Sequence, residues 1–384
     1  PMPALLRLLL SACALLAVGG FGRAKLFPHS DVDVLLLLSD DAKPEDDARL
    51  RSCIETFIGS CWDTGLEIGS SVRTVTQCLA ESGTDVTVQT SVLESRLVIG
   101  NRRLYGQLRE RLTNAMDPKA FFVAKTLEMR QRHSKFEDTP YALEPNCKES
   151  PGGLRDLQML LWVSKAAGMG KNWDELARKG LATPLEVRQI KRNEALMRLI
   201  RMRLHLIAGR REDRLVFDLQ TAVAESFGYQ NPTSDSTPFS VGLTETSVKS
   251  KRRVTVARAS EALMRRYYWA AKAISQLNQI VLLNMEERLY GTEGHSQPLN
   301  KWFNENAGMI EVVSDDLYVR EPHAILQTFL LYQTSSGTKG LSSRTLRALY
   351  NARSVMNAEF RNDPVNRAAF LQIIQQHDGL THAM

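Results

Sequence analysis

The rhythm of hydrophobic and polar positions changes near residue 107. Before that point short β-like runs alternate with polar stretches. Residues 14–18 (Ala-Leu-Leu-Ala-Val) and 32–38 (Val-Asp-Val-Leu-Leu-Leu-Leu) read as buried strands, and 85–90 (Asp-Val-Thr-Val-Gln-Thr) as an alternating one. Residues 44–59 between the second and third runs are polar and helix-compatible, so a small α/β unit is expected. Beyond residue 107 the period becomes helical. Thr183-Pro184-Leu185-Glu186 is a helix start, with a capping threonine, a first-turn proline and a glutamate that closes a capping box. The helix that follows places Ile190, Leu196, Leu199, Ile200, Leu204 and Ile207 on one face and Arg188, Arg192, Arg198 and Arg201 largely elsewhere, as a solvated basic face. Residues 259–289 and 343–374 repeat the pattern. The expected fold class is therefore α+β: an α/β domain over 1–110 followed by an all-α helical bundle over 111–384. Residues 231–257, with few apolar positions and clustered turn formers, predict an exposed loop.

Composition narrows the function classes. Of 384 residues, 43% are hydrophobic and 24% charged, which suits a soluble globular chain of more than one domain. The net charge of +6 fits phosphate-bearing small molecules or an acidic partner, and the reading takes these over nucleic acid. The five cysteines (Cys13, Cys53, Cys61, Cys78, Cys147) include no C-x-x-C pair, so free thiols in a reducing cytoplasm are expected rather than zinc or disulfides. Residues 2–17 imitate a secretory signal with a lipoprotein-like cleavage site before Cys13. Export is not expected, because the next residues carry the chemistry and 14–18 is the strand that delivers them. No other apolar run approaches the ~20 residues of a membrane span, so no membrane partner is expected. The start at Pro1 suggests a trimmed or fragmentary chain.

The chemistry lies in Gly19-Gly20-Phe21-Gly22-Arg23-Ala24-Lys25-Leu26-Phe27-Pro28-His29-Ser30-Asp31-Val32-Asp33. Asp31 and Asp33 stand two apart at the head of a strand, so their carboxylates leave the same face. At 4 Å two such charges repel by roughly 4 kcal/mol at an effective dielectric near 20. A hard divalent cation relieves that repulsion, with Mg²⁺ expected and Mn²⁺ as its substitute. The Gly19-Gly20 turn lets backbone approach a phosphate closely, and Arg23 and Lys25 add positive charge there.

In that order the glycine turn and the D-x-D pair resemble the nucleotidyltransferase superfamily that includes DNA polymerase β. The string from Gly19 to Leu38 is similar to the bacterial protein-PII uridylyltransferases. Three further segments carry the resemblance: 85–90 with Leu93-Glu94-Ser95-Arg96, 143–158 around Pro151-Gly152-Gly153, and Leu263-Met264-Arg265-Arg266-Tyr267-Tyr268. It covers nearly the whole chain, with 231–257 as an insertion, a poor match over 1–12, and Cys147 where an aliphatic residue is expected. The resemblance implies a polymerase β-like catalytic domain, transfer of UMP from UTP to a tyrosine hydroxyl of the PII signalling protein, and release of pyrophosphate in the cytoplasm. It implies a third carboxylate on a later strand, for which Asp85 is the candidate, as metal ligand and as the group that orients or deprotonates the attacking hydroxyl. It places Gly19, Gly20, Arg23 and Ser30 at the triphosphate.

Lys148 and Arg155 flank a segment also similar to one in the glutamine-synthetase adenylyltransferases. They read either as triphosphate or partner contacts at a helix N-terminus, or as part of an inter-domain hinge over 140–158. Adenylyl transfer to glutamine synthetase, and a truncated non-catalytic nucleotide-binding protein, are the rival functions. Residues 209–214 (Gly-Arg-Arg-Glu-Asp-Arg) read as a surface ion-pair network, and His377-Asp378 as a chance likeness to the HD phosphohydrolases. In the relatives an HD domain and small-molecule-sensing domains continue past the point where these residues stop, and both are expected to be absent here, with deuridylylation and glutamine response.

Overall fold

The structure is a computed structural model that describes residues 13–230, 258–291, 296–335 and 337–375. The expected loop 231–257, residues 2–12 of the signal-like stretch and His377-Asp378 lie outside the described residues. By its contacts the chain divides into two units. The first takes the described residues of Pro1–Trp173 and Arg188–Ser275, the second those of Asp174–Val187 and Gln276–Met384. The expected boundary at residue 110 falls inside the first unit.

The first unit is built on β1 (Cys13–Ala17), the one-turn α1 (Gly19–Gly22), β2 (Val32–Leu38), α2 (Ala48–Asp63), β3 (Ile68–Thr74), α3 (Val75–Thr84), α4 (Val86–Leu93), β4 (Arg96–Gly100) and α5 (Arg102–Ala115). The strands form one mixed sheet in the order β3-β2-β1-β4. β1 runs antiparallel to β2 and β4, and β2 runs parallel to β3 with Asp33 opposite Gly69. Continuous apolar runs such as Leu35–Leu38 need cover on both faces. One face buries Leu16, Leu35 and Leu37 against Val75, Cys78, Val92, Leu104 and Leu108, and the other buries Cys13, Leu36 and Leu38 against Leu50 and Ile54 of α2. The expected strand at 85–90 is instead the first turns of α4. The carboxylate of Asp85 accepts the Thr87 and Val88 N–H groups, and the Thr90 hydroxyl donates back to the Val86 carbonyl. A helix cap thus overrides the alternation of Val and Thr.

Helices α6 (Pro118–Ser134) and α7 (Leu154–Ala166) follow in the same unit. Asp117 caps α6 ahead of Pro118, and α7 is entered through Pro151-Gly152-Gly153. Gly152 sits at φ +76°, and a Cβ there would lie 2.2 Å from the Ala271 carbonyl oxygen. Its N–H donates to Asp156, which is fully buried and paired with Arg132 and His133. The segment is therefore locked in place by packing. Gly152→Ala is expected to cost about 3 kcal/mol, from steric overlap added to the left-handed backbone. Urea unfolding checks this.

Helix α8 (Trp173–Arg178) leads to α9 (Pro184–Ala208), whose predicted capping box is present: the Thr183 N–H donates to Glu186 at 2.7 Å, and the Glu186 N–H to the Thr183 hydroxyl at 3.1 Å. The core face of α9 is Ile190, Met197, Ile200 and Leu204. Leu196 and Leu199 are half-buried and Ile207 is exposed. Helices α10 (Phe217–Ser226) and α11 (Ala259–Tyr290) complete this region.

The second unit departs from the all-α expectation by carrying a small sheet. Strands β5 (Gln297–Pro298), β6 (Phe303–Asn306), β7 (Met309–Val312) and β8 (Gly340–Leu341) pair in sequence order. Helices α12 (Leu317–Arg320), α13 (Ala324–Thr334), α14 (Ser343–Asn351), α15 (Ala358–Asn362) and α16 (Pro364–Gln375) accompany it, so the expected helix over 343–374 is broken into pieces. Phe303, Ile310 and Val312 of the sheet pack on Leu317, Tyr318, Ala324 and Ile325. Strands of two to four residues leave too short an alternation to be told from helix by period. Among the described residues no helix is long and apolar enough to cross a membrane. All five cysteines are free. Burial pushes the Cys147 thiol up to about 12 and those of Cys13 and Cys78 up to about 11.

Candidate functional site

The end of β1 and the start of β2 open into a cleft of about 520 Å³ in the first unit. Gly19 turns the chain at φ +54°, and the Val18 N–H donates to the Asp33 carbonyl at 3.0 Å, fixing the turn against the strand that bears the carboxylates. The Asp33 side chain is boxed in by two glycines. A Cβ at Gly19 would stand 2.7 Å from its Oδ2, and one at Gly69 on β3 would stand 2.6 Å from its Oδ1. Only glycine leaves room for the carboxylate at both positions. Partial burial, with Asp31 next in weight, pushes the Asp33 carboxyl above the usual carboxylate range, while Arg211, Lys148 and Arg23 draw it back. Asp31 itself is ion-paired with Arg211.

Of the residues expected at the site, Asp31, Asp33, Gly19, Gly20, Arg23, Ser30, Lys148 and Arg155 all line this cleft. Asp85 does not. It is exposed and spends its carboxylate on the cap of α4, so the third carboxylate expected there is not supplied by this residue. The same helix instead sends Thr87 and Thr90 to the cleft and ends at Glu94, which lines it and pairs with Arg23. Among the described residues no group of three His, Cys, Asp or Glu side chains is arranged to hold a metal. The Asp31–Asp33 pair is the element that fits a hard cation. Its chemistry is all-oxygen, burial and then the neighbouring Asp31 charge raise Asp33, and the two glycines leave just the room that carboxylate needs.

The cleft also carries a set of cations organised around one indole. Lys125 Nζ lies 4.5 Å, Arg155 Cζ 5.3 Å and Arg23 Cζ 5.7 Å from the ring centre of buried Trp162. Arg155 also pairs with Glu149 at 3.1 Å, and Lys148 with the same carboxylate at 3.4 Å. Burial, ahead of the neighbouring Arg155, lowers the Lys148 ammonium below its ordinary value. Lys25 pairs with Glu194 at 2.8 Å. Sequence reasoning passed over Lys125, Trp162, Arg201 and Arg211 as site residues. Lys125 and Trp162 stand on helices α6 and α7, where nothing local marks them.

Residues 209–214 are only partly the surface network expected. Arg210 and Glu212 pair at the surface at 2.9 Å. Arg211 turns into the cleft, and Asp213 turns inward to Arg201 at 2.5 Å and to the fully buried His205 at 2.9 Å. Arg201, expected on a solvated face, is buried. Burial alone would raise the Asp213 carboxyl, but the hydrogen bonds from Arg201 and His205, with the charges of Arg201 and Lys148, hold it below the usual range. A depressed folded-state pKa contributes stability above the unfolded value, which is lost as pH falls through the folded one. Below about pH 4 the thermal midpoint should therefore drop more steeply in the wild type than in Asp213→Asn, which lacks that titration. Scanning calorimetry across the acid range is the check.

Two family models match the chain: "GlnD PII-uridylyltransferase" over residues 120–282 and "Uridylyltransferase GlnD third domain" over residues 303–384. Among similar proteins is one named bifunctional uridylyltransferase/uridylyl-removing enzyme in Cupriavidus metallidurans, 58% identical over 372 residues, covering 97% of this chain and 40% of that protein. Proteins of the same name in Cupriavidus pinatubonensis and Burkholderia pseudomallei are 57% and 56% identical over 372 residues, covering 97% and 96% of this chain and 40% of each relative. The chain thus spans about 40% of the length of these relatives.

Proposed function

Because the chain belongs to the PII-uridylyltransferase family, we propose that its cleft transfers UMP from UTP to a tyrosine hydroxyl of a PII signalling protein, releasing pyrophosphate, in the cytoplasm. The observation that carries this reading is that Asp31 and Asp33 share one cleft with Arg23, Lys125, Lys148 and Arg155.

Asp31 and Asp33 would hold Mg²⁺, or Mn²⁺ in its place. Bound there, the cation neutralises charge on the triphosphate and on the attacking oxygen. The chain's own groups do the rest. The Gly19-Gly20 turn brings backbone against the triphosphate, Ser30 lies beside it, and Arg23, Lys148 and Arg155 offset its charge. The tyrosine oxygen forms a bond to the α-phosphorus while the bond to the bridging oxygen breaks, and pyrophosphate leaves with that electron pair. The phenol proton is lost on the way, and a tyrosine hydroxyl, with a pKa of about 10, is mostly protonated at neutral pH. That proton passes to the carboxylate of Asp31 or Asp33, which line the same cleft, or to solvent. Catalysis in this cleft then comes from positioning and charge neutralisation.

Incubation with α-labelled UTP or ATP, Mg²⁺ or Mn²⁺, and either purified PII protein or glutamine synthetase tests the reading. Label from UTP on PII is the expected result. Label from ATP on glutamine synthetase would replace the reading with adenylyl transfer, and no label on either would leave a nucleotide-binding protein.

A further inference from the structure

The loop between α1 and β2 carries Ser30 and Asp31 to the cleft on strained backbone. Ala24 and His29 both lie in the left-handed region, at φ +55° and +56°. Such residues persist only when the surroundings hold them there. Within the loop the Ser30 N–H donates to the Phe27 carbonyl at 3.1 Å and the Phe27 N–H to the Ser30 hydroxyl at 3.2 Å. These bonds close the turn on itself but do not tie it to the rest of the unit.

Arg211 holds Asp31 at its far end, and the tie to the middle of the turn comes from α9. Arg201 stacks on Phe27, with Cζ 4.2 Å from the ring centre. One turn further on, His205 is completely buried, with Nδ1 against the Pro28 carbonyl oxygen and Nε2 2.9 Å from Asp213 Oδ1. Both partner atoms are oxygens that accept hydrogen bonds, so each ring nitrogen faces an acceptor. Asp213 is itself held by the Arg201 guanidinium through Nε at 2.5 Å and a terminal nitrogen at 3.2 Å, and its carbonyl accepts the Cys147 N–H at 2.8 Å. A buried hydrogen-bonded chain therefore runs from Asp213 through the imidazole to the backbone three residues before Asp31.

We propose that His205 is a positioning residue of this cleft: oriented by Asp213, its ring grips the Pro28 carbonyl and sets the Phe27–Asp31 turn so that Ser30 and Asp31 face the nucleotide. The proposal rests on the transferase reading of the cleft for what the turn does, but the grip itself is independent of it. His205 touches neither nucleotide nor metal ligands and acts through the loop alone.

The two nitrogens can be separated by substitution. An asparagine amide takes the place of Nδ1 and keeps a donor toward Pro28. A glutamine amide reaches the place of Nε2 and keeps only the donor toward Asp213. Hydrogen–deuterium exchange over residues 27–33 in the free protein, and kcat and KM for UTP, are measured for H205N, H205Q and H205A. The expected result is exchange about tenfold faster in H205Q and H205A than in the wild type, with H205N within about threefold of it. The kcat should follow the same order, with KM for UTP little changed. Equal behaviour of H205N and H205Q, whether both altered or both normal, would overturn the proposal, because a ring that merely fills space does not distinguish its nitrogens. H205N worse than H205Q would overturn it too. If H205Q does not fold, H205N against H205A carries the same comparison. A wild type that transfers nothing from UTP would fail the functional reading and leave the exchange comparison intact.

Discussion

Asp33→Asn is expected to abolish the proposed UMP transfer while leaving the protein folded. The substitution keeps the side chain's shape between Gly19 and Gly69 but removes a negative charge that a bound cation needs. A loss of ~4 kcal/mol of transition-state stabilisation slows the step roughly a thousandfold. Asp31→Asn should do the same, with the added effect of freeing Arg211 from its ion pair. Transfer of labelled UMP at saturating Mg²⁺, beside circular dichroism of each variant, is the measurement. A variant that retained more than about a tenth of the wild-type rate would remove the pair from the reaction.

A second large loss should follow from adding one methyl group. Gly69 lies on β3, opposite Asp33 in the parallel register, and its backbone needs no special conformation. Alanine at 69 should therefore leave the strand intact and act on the carboxylate alone, since its Cβ would stand 2.6 Å from Asp33 Oδ1. A carboxylate displaced by about 1 Å should lose roughly a hundredfold in rate. The thermal midpoint should change little, which separates Gly69→Ala from Gly19→Ala. At 19 the same oxygen clash is joined by a left-handed backbone, so both rate and stability should fall. Normal transfer by Gly69→Ala would mean that Asp33 does not need its observed position.

How much of this was legible in the chain depended on the range of each signal. Strand β2 was read to the residue, and β1 to within one, because apolar runs of five to seven residues bounded by a glycine turn or polar stretches have the length of buried strands. The capping box at Thr183 was equally local. The alternation at 85–90 was a false strand signal, since Asp85 could serve as a cap as readily as a ligand and only the tertiary fold chose. The hairpin of β6 and β7 turns through Ala307 and Gly308, both at positive φ, without the Asn-Gly or Asp-Gly pair that would have announced it. The cationic set was half visible: Lys148 and Arg155 flank a glycine segment, whereas Lys125 sits on a helix with no such marker. Arg201 and His205 did carry a signal. They continue the row of Met197 at intervals of four along the buried stripe of α9, where a charged residue must have a partner. The partner, Asp213, lay in a segment whose dense charge disguised it as surface.

The first unit's division into two stretches of chain sets an order of events during synthesis. The carboxylates Asp31 and Asp33 emerge early, within the sheet that α2 to α5 can cover. Arg23 emerges just ahead of them, but the other cations that balance them emerge late: Lys125, Lys148, Arg155 and then Arg211, after the segment Asp174–Val187 that belongs to the other unit. At ~20 residues per second the ribosome needs on the order of 10 s to pass from Asp33 to Arg211. For that interval the nascent chain holds Asp31 without the arginine that pairs with it, and for the first half of it without Lys125, Lys148 and Arg155 as well. A competent cleft is thus a late product of translation, and a fragment ended at residue 110 would carry the acidic pair with no active site around it.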